Sequence, residues 1–312
     1  MDMETIKSTK KFFSGIGLRM FFSTLVLMIS QIIVAGVAIV INPQIANDSN
    51  LTMAVTMIPM YAIGFPLAFL IMKKPQRTEI EKHDMSAKQL LAAALMAYAI
   101  TMVGNIIGTG ITTVIGLLKG SPVTNILAAM LDGGNIFLIF FLTAICAPIF
   151  EELLFRKMLC DRLVRFGEGT AIVISGLLFG LFHGNFNQFI YALPLGMIFA
   201  FVYVKTGQIK NAILLHMFVN FLGGVVPTAL LSNVDIEQPT GMIAACAYYV
   251  FALALTIAGI VIFCNNRKKF EVNAGEIVIE KGKRFSTFIA NFGMLLFVIV
   301  WGIVTIAVTL TL

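Results

Sequence analysis

The sequence predicts an all-α fold, a polytopic transmembrane helical bundle of about nine spans, with eight as the lower count, around a polar cavity between core helices. Three observations predict it. Of 312 residues, 59% are hydrophobic and 12% charged, against about 45–50% and about 25% in soluble domains. Mean hydropathy is +0.94, and apolar runs of about twenty residues, each able to cross about 30 Å of hydrocarbon, recur along the chain. Finally, of the 22 Lys and Arg residues, all but Lys119 fall in alternate loops once the N-terminus is placed in the cytosol. Positive charge beside span ends is retained in the cytoplasm, so the bias predicts an integral membrane protein with its N-terminus cytosolic and its C-terminus outside.

The segment 20–41 reads as a signal anchor, because its apolar core of about twenty-two residues exceeds a signal-peptide core. Segments 51–72 and 90–118 follow, separated by Lys73, Lys74, Arg77, Lys82 and Lys88. Segment 134–155 contains Pro148, which removes a backbone donor and loosens a helix where it stands. Segments 170–187 and 188–204 are short and are joined by the polar run Gly184-Asn185-Phe186-Asn187-Gln188, so the choice between nine and eight spans rests on them. Segments 211–231, 241–263 and 287–312 complete the series. The organisation reads as N-terminal helices over 1–133, a core over 134–231, and C-terminal helices over 232–312. The last block includes a basic cytosolic loop, 264–286, read as a solvated topogenic loop. Gly104 and Gly108, and Gly176, Gly180 and Gly184, lie four apart and predict close helix approach. Cys146, Cys160, Cys246 and Cys264 lack CxxC spacing and imply no disulfide framework. The net charge of +6 carries no basic stripe interleaved with aromatics, which excludes nucleic acid as a partner.

Ionisable groups are costly inside a bilayer and mark function. Within the spans they reduce to Glu151, Glu152, Arg156, His183 and His216, all in one stretch of the chain, so they are expected to converge on a single cavity. Residues four apart share a helix face. Glu152 and Arg156 are so spaced, as an internal ion pair that leaves Glu151 on a neighbouring face. Phe179 and His183 are a second such pair, and His216 and Asn220 a third, aiming an imidazole and a carboxamide at one point. Counting rise per residue from the basic loops puts these groups in the inner half to the middle of the bilayer. Arg156, Lys157 and Lys210 would then make a basic cytosolic mouth that draws an anionic peptide segment.

The ordered trio EExxxR, FxxxH and HxxxN, on successive apolar segments within about 140–225, resembles the CPBP family, also called the Abi or CAAX-protease-like family of intramembrane endopeptidases. The resemblance implies a peptidase acting on a peptide or membrane-protein substrate in contact with the lipid bilayer. With compact loops, it implies the bacterial branch in a plasma membrane, concerned with peptide processing or bacteriocin self-immunity. Peptide hydrolysis needs a base to activate water and donors for the oxyanion. Glu151 is the expected base, His183 the partner that holds or shares the water proton, and His216 with Asn220 the oxyanion donors. Glu152 with Arg156 would anchor the helix, or Glu152 would be a second proton acceptor; Phe179 reads as supporting packing. No cofactor is expected. The alternative within the family makes Glu151, Glu152, His183 and His216 zinc ligands, against which HExxH is absent. Two other classes remain: a catalytically silent scaffold or immunity protein, and a proton-coupled transporter in which the same groups form a relay.

Overall fold

A computed structural model of the chain describes residues 3–231, 234–235 and 237–311. Among these its regular secondary structure is all helical, with no strand. Taken as continuous rods, the elements are α1 (Met3–Ile41), α2 (Ser49–Lys73), α3 (Ala87–Lys119), the short α4 (Ile126–Leu131), α5 (Ile136–Phe166), α6 (Glu168–Phe182), α7 (Phe186–Thr206), α8 (Ile209–Leu231), α9 (Pro239–Lys269), the short α10 (Arg284–Phe288) and α11 (Phe292–Thr311). Among the described residues, eight of these are long and apolar enough to cross a membrane, and the chain is an integral membrane protein. The expected fifth span differs: α6 has 15 residues, about 22 Å of helix and so short of the hydrocarbon thickness. Met1 and Leu312, where the termini were expected inside and outside, lie beyond the described residues.

The loops predicted to share a side are brought together at one end. Thr78 N–H donates to Asp161 O at 2.6 Å, His83 N–H to Thr206 O at 2.9 Å, Glu168 N–H to Asn273 O at 3.1 Å, and Ile277 N–H to Arg165 O at 3.0 Å. Lys205 pairs with Glu168 there as well. This is the Lys- and Arg-rich end of the bundle. At the opposite end Asn135 N–H donates to the Asn50 carboxamide, joining the segment after α4 to the start of α2. The short α6 still reverses the chain direction, because α6 and α7 form a tight hairpin rising from the basic end.

Small residues let the core helices approach. A Cβ on Gly180 of α6 would stand 2.8 Å from Leu193 Cβ of α7, and one on Gly104 of α3 would stand 2.7 Å from Tyr191 Cβ. Either distance is impossible for real carbon atoms, so any side chain there would push α7 away. The flanking helices α1 and α11 are joined by the Trp301 indole N–H donating to Thr24 at 2.9 Å, and Trp301 packs on the core through the Phe182 ring of α6.

Candidate active site

Pro148 shapes the first wall. From Phe140 to Cys146 the helix widens to i→i+5 bonding, and Ala147 N–H donates to Leu142 O in that register. The next bond of the register would run from residue 148 to Thr143 O, and proline has no N–H to make it. Asn220 of α8 fills the vacancy, its Nδ2 donating to Thr143 O at 2.9 Å. A second wide stretch follows at Leu153–Cys160, leaving Glu151 and Glu152 on a short α segment between two wide ones. Such insertions re-aim side chains and recur at functional sites.

The adjacent carboxylates have different surroundings. Glu152 is fully buried and contacts Arg156, also fully buried, through Nη2 to Oε1 at 3.2 Å and a 2.8 Å approach of Nε to Oε2 that is not aligned as a hydrogen bond. Arg156 Nη1 donates to Ser175 Oγ at 2.8 Å, and Ser175 Oγ–H donates to Phe155 O at 2.9 Å. The guanidinium also lies 4.7 Å from the Phe179 ring centroid, a cation–π contact. Glu152 Oε1 further accepts from His216 Nδ1 at 3.0 Å. Glu151, by contrast, has a buried Oε2 with no hydrogen-bond partner, 4.0 Å from His216 Nε2.

His183 sits where α6 stops. Gly184 takes φ +64°, the left-handed turn that ends a helix at little cost to glycine. Asn185 then caps α7 by accepting from Gln188 N–H and holds the His183 carbonyl through Nδ2 at 2.9 Å. The imidazole Nδ1 is 2.8 Å from Phe179 O. A carbonyl only accepts, so Nδ1 carries the proton and the neutral ring keeps its lone pair on Nε2. The same reasoning protonates His216 at Nδ1, toward the Glu152 carboxylate.

Glu151, Phe179, His183, His216 and Asn220 line one cavity of about 190 Å³. Glu152 and Arg156 lie behind its wall. Phe179 contributes more than packing, since its carbonyl sets the His183 tautomer and its ring covers Arg156. Spacing alone missed Tyr61, Asn105, Gln188 and Tyr191, which also line the cavity. Asn105, a carboxamide in an otherwise apolar segment, was the available signal; Tyr61 and Tyr191 had none. The expected basic mouth is not there. Arg156 is consumed inside the wall, Lys157 bonds Asp161 at 2.8 Å and the Tyr203 hydroxyl, Lys210 is exposed at the start of α8, and no Lys or Arg is among the described residues lining the cavity.

Of the alternative zinc set, Glu152 is committed to Arg156 and His216. Glu151 Oε2 has no hydrogen-bond partner, and each histidine is held through Nδ1 alone, which leaves its Nε2 toward the cavity.

Residues 133–222 match the family model described as type II CAAX prenyl endopeptidase Rce1-like. The chain is 29% identical to the membrane-embedded CAAX protease MroQ of Staphylococcus aureus (strain USA300) over 190 residues, 58% of this chain and 74% of the relative. It is 29% identical over 109 residues to YdiL of Bacillus subtilis (strain 168), named as a candidate membrane peptidase, covering 34% of this chain and 43% of the relative. Its identity to the UPF0177 protein YxdF of Lactococcus lactis subsp. lactis (strain IL1403) is 33% over 87 residues, 27% of this chain and 47% of the relative. The matches to these two span less than half of their length. No solved structure matches the chain significantly.

Proposed function

Because residues 133–222 match the Rce1-like CAAX prenyl endopeptidase model, we propose that the chain is a CPBP-family intramembrane endopeptidase in which Glu151 activates water. The observation that carries this reading is the unpartnered, buried Glu151 Oε2 facing a cavity shared with both imidazoles. Water entering the cavity gives its proton to Glu151 as its oxygen attacks the peptide carbonyl carbon. The C–N bond then breaks, and the proton passes from Glu151 to the departing amine. His183, with its lone pair on Nε2, is suited to accept a hydrogen bond from that water. His216 donates to the oxyanion only as the imidazolium, with Glu152 as counter-charge behind it. Asn220 spends one N–H on Thr143 and keeps the other for the oxyanion.

The metal-free form of this reading rests on Glu152, which is held by Arg156 and His216 and so is not free to complete a four-residue zinc set. Protein washed with chelator is expected to retain its activity; one zinc per chain, lost with activity and restored with it, would overturn the metal-free mechanism. The central experiment purifies wild type and Glu151→Gln in detergent and follows cleavage of membrane peptides, including bacterial secreted-peptide precursors, by mass spectrometry. Cleavage by wild type alone supports the reading. A biological function retained by Glu151→Gln would identify a silent scaffold instead.

A further inference from the structure

The cavity that exposes Glu151 is blocked toward one end of the bundle and open toward the other. On the Lys- and Arg-rich side it is floored by Glu152 and Arg156, both fully buried. Buried Phe155, Phe199, Tyr203 and Asp161 lie beneath them, with the Tyr203 hydroxyl donating to Asp161. On the other side it rises past Met57, Met60 and Met102 to α4, where Leu127, Met130 and Leu131 form a roof. A second recess shares Asn105, Leu127, Leu131, Gly223 and Gly224 with it and reaches the surface beside the exposed Ala128, Ala129 and Asp132.

The continuity of the two recesses sets the route, and their lining sets the cargo. Among the described residues, and the histidines of the site apart, Glu151 is the one charged side chain of the first recess and Asp132 the one of the second. A charged side chain carried down this path would lose its water and meet no Lys or Arg, and no carboxylate beyond those two, which is expensive. Four methionines, Met57, Met60, Met102 and Met130, offer flexible, polarisable packing for apolar side chains of varied shape. Asn105 and Gln188 offer carboxamides to the backbone of an extended chain. A Cβ added to Gly224, at the rim in α8, would meet nothing within 4 Å.

We propose that substrate reaches Glu151 from the Lys- and Arg-poor end of the bundle, through the cleft between α3 and α8 beneath α4, as a peptide segment uncharged around its scissile bond. With the basic end cytosolic, that is entry from the non-cytosolic face. The substrate class rests on the peptidase reading; the route does not.

The test adds one cysteine at a time, at Gly224 or, as a marker of the basic end, at Lys281 in the loop before α10, to a chain whose exposed Cys246 and Cys264 are replaced by Ser. Sealed vesicles of each orientation are treated with a membrane-impermeant maleimide, and the modified position is identified by mass spectrometry. Ala128→Cys, at an exposed position of the same recess, repeats the measurement should Gly224→Cys fold poorly. The expected result is labelling of Gly224→Cys from the side opposite Lys281→Cys, with at least a tenfold loss of cleavage of a peptide of Ala, Val, Leu and Gly. Labelling from the Lys281 side, or from neither side, overturns the route. In the second arm, peptides with Asp or Lys next to the scissile bond are expected to react at least tenfold more slowly than the neutral one; equal rates overturn the substrate class. Opposite-side labelling without cleavage of any peptide leaves the route standing and removes the peptidase reading.

Discussion

At the floor of the cavity, Glu152 is met by Arg156 and His216 within 3.2 Å. One residue away, Glu151 leaves Oε2 without a donor and stands 4.0 Å from His216 Nε2. Both carboxylates are buried and both belong to the same turn of α5. The difference lies in what faces them: Glu152 turns toward its own helix and α8, where charge can be matched, while Glu151 turns toward a cavity lined by methionines, tyrosines and carboxamides. A buried ion pair contributes little net stability, yet removing one partner is costly. An unmatched carboxylate contributes none and is retained for what it can accept. The same turn thus separates a group that holds the site from a group that acts in it.

That contrast can be tested from its strongest consequence downward. Glu151→Gln is expected to lower turnover by about 10²–10⁴-fold, the usual worth of a general base, with the thermal unfolding midpoint in detergent unchanged. A fall in the midpoint matching that of a Glu152 variant would erase the distinction. Arg156→Met strands Glu152 as an unpaired buried charge and should destabilise the protein by about 3–5 kcal/mol, measured by unfolding in mixed detergent. Adding Glu152→Gln should recover part of the loss; a purely additive double variant would mean the two do not act as a pair. Pro148→Ala restores an N–H that competes with Asn220 for Thr143 O. At the net worth of one hydrogen bond, about 0.5–1.5 kcal/mol, turnover should fall up to about tenfold with no loss of stability. The effect should vanish in an Asn220→Ala background, and its persistence there would break the link between the proline and the carboxamide. Last, Lys283→Ala removes an exposed pair with Glu280, 3.2 Å apart, and should change stability by less than about 1 kcal/mol.

The bundle and the floor of the site were legible in the sequence because they depend on local rules. Hydropathy and the loop charges marked the helices, and i,i+4 spacing paired Glu152 with Arg156 as the structure does. Spacing was less informative for His216 and Asn220. One face was expected to aim both at a single point, and both reach the same cavity, but spacing did not show that Glu152 holds the imidazole Nδ1 and Thr143 O one carboxamide N–H. The reason is non-local: Thr143 O is free only because an i→i+5 stretch meets a proline, and no pattern in the chain announces that register. The expected basic mouth failed for a local reason. Arg156 and Lys157 lie next to the site in sequence, but each has a carboxylate four residues away along its own helix, Glu152 and Asp161, which holds it there. The roof was invisible, since α4 and the methionines of α2 and α3 reach the cavity from segments with no distinguishing motif.

The shortness of α6 has a consequence for the surrounding lipid. At about 22 Å it falls short of the hydrocarbon thickness, yet no residue from 181 to 190 is exposed, so the α6–α7 turn ends inside the protein and not against acyl chains. Non-helical backbone at membrane depth is tolerated only where protein or a cavity covers it, and the turn that carries His183 meets that condition, with Gly184 and Asn185 buried. The bilayer therefore meets the flanking helices and not the turn, which leaves the placement of His183 to its protein neighbours and uncouples it from membrane thickness.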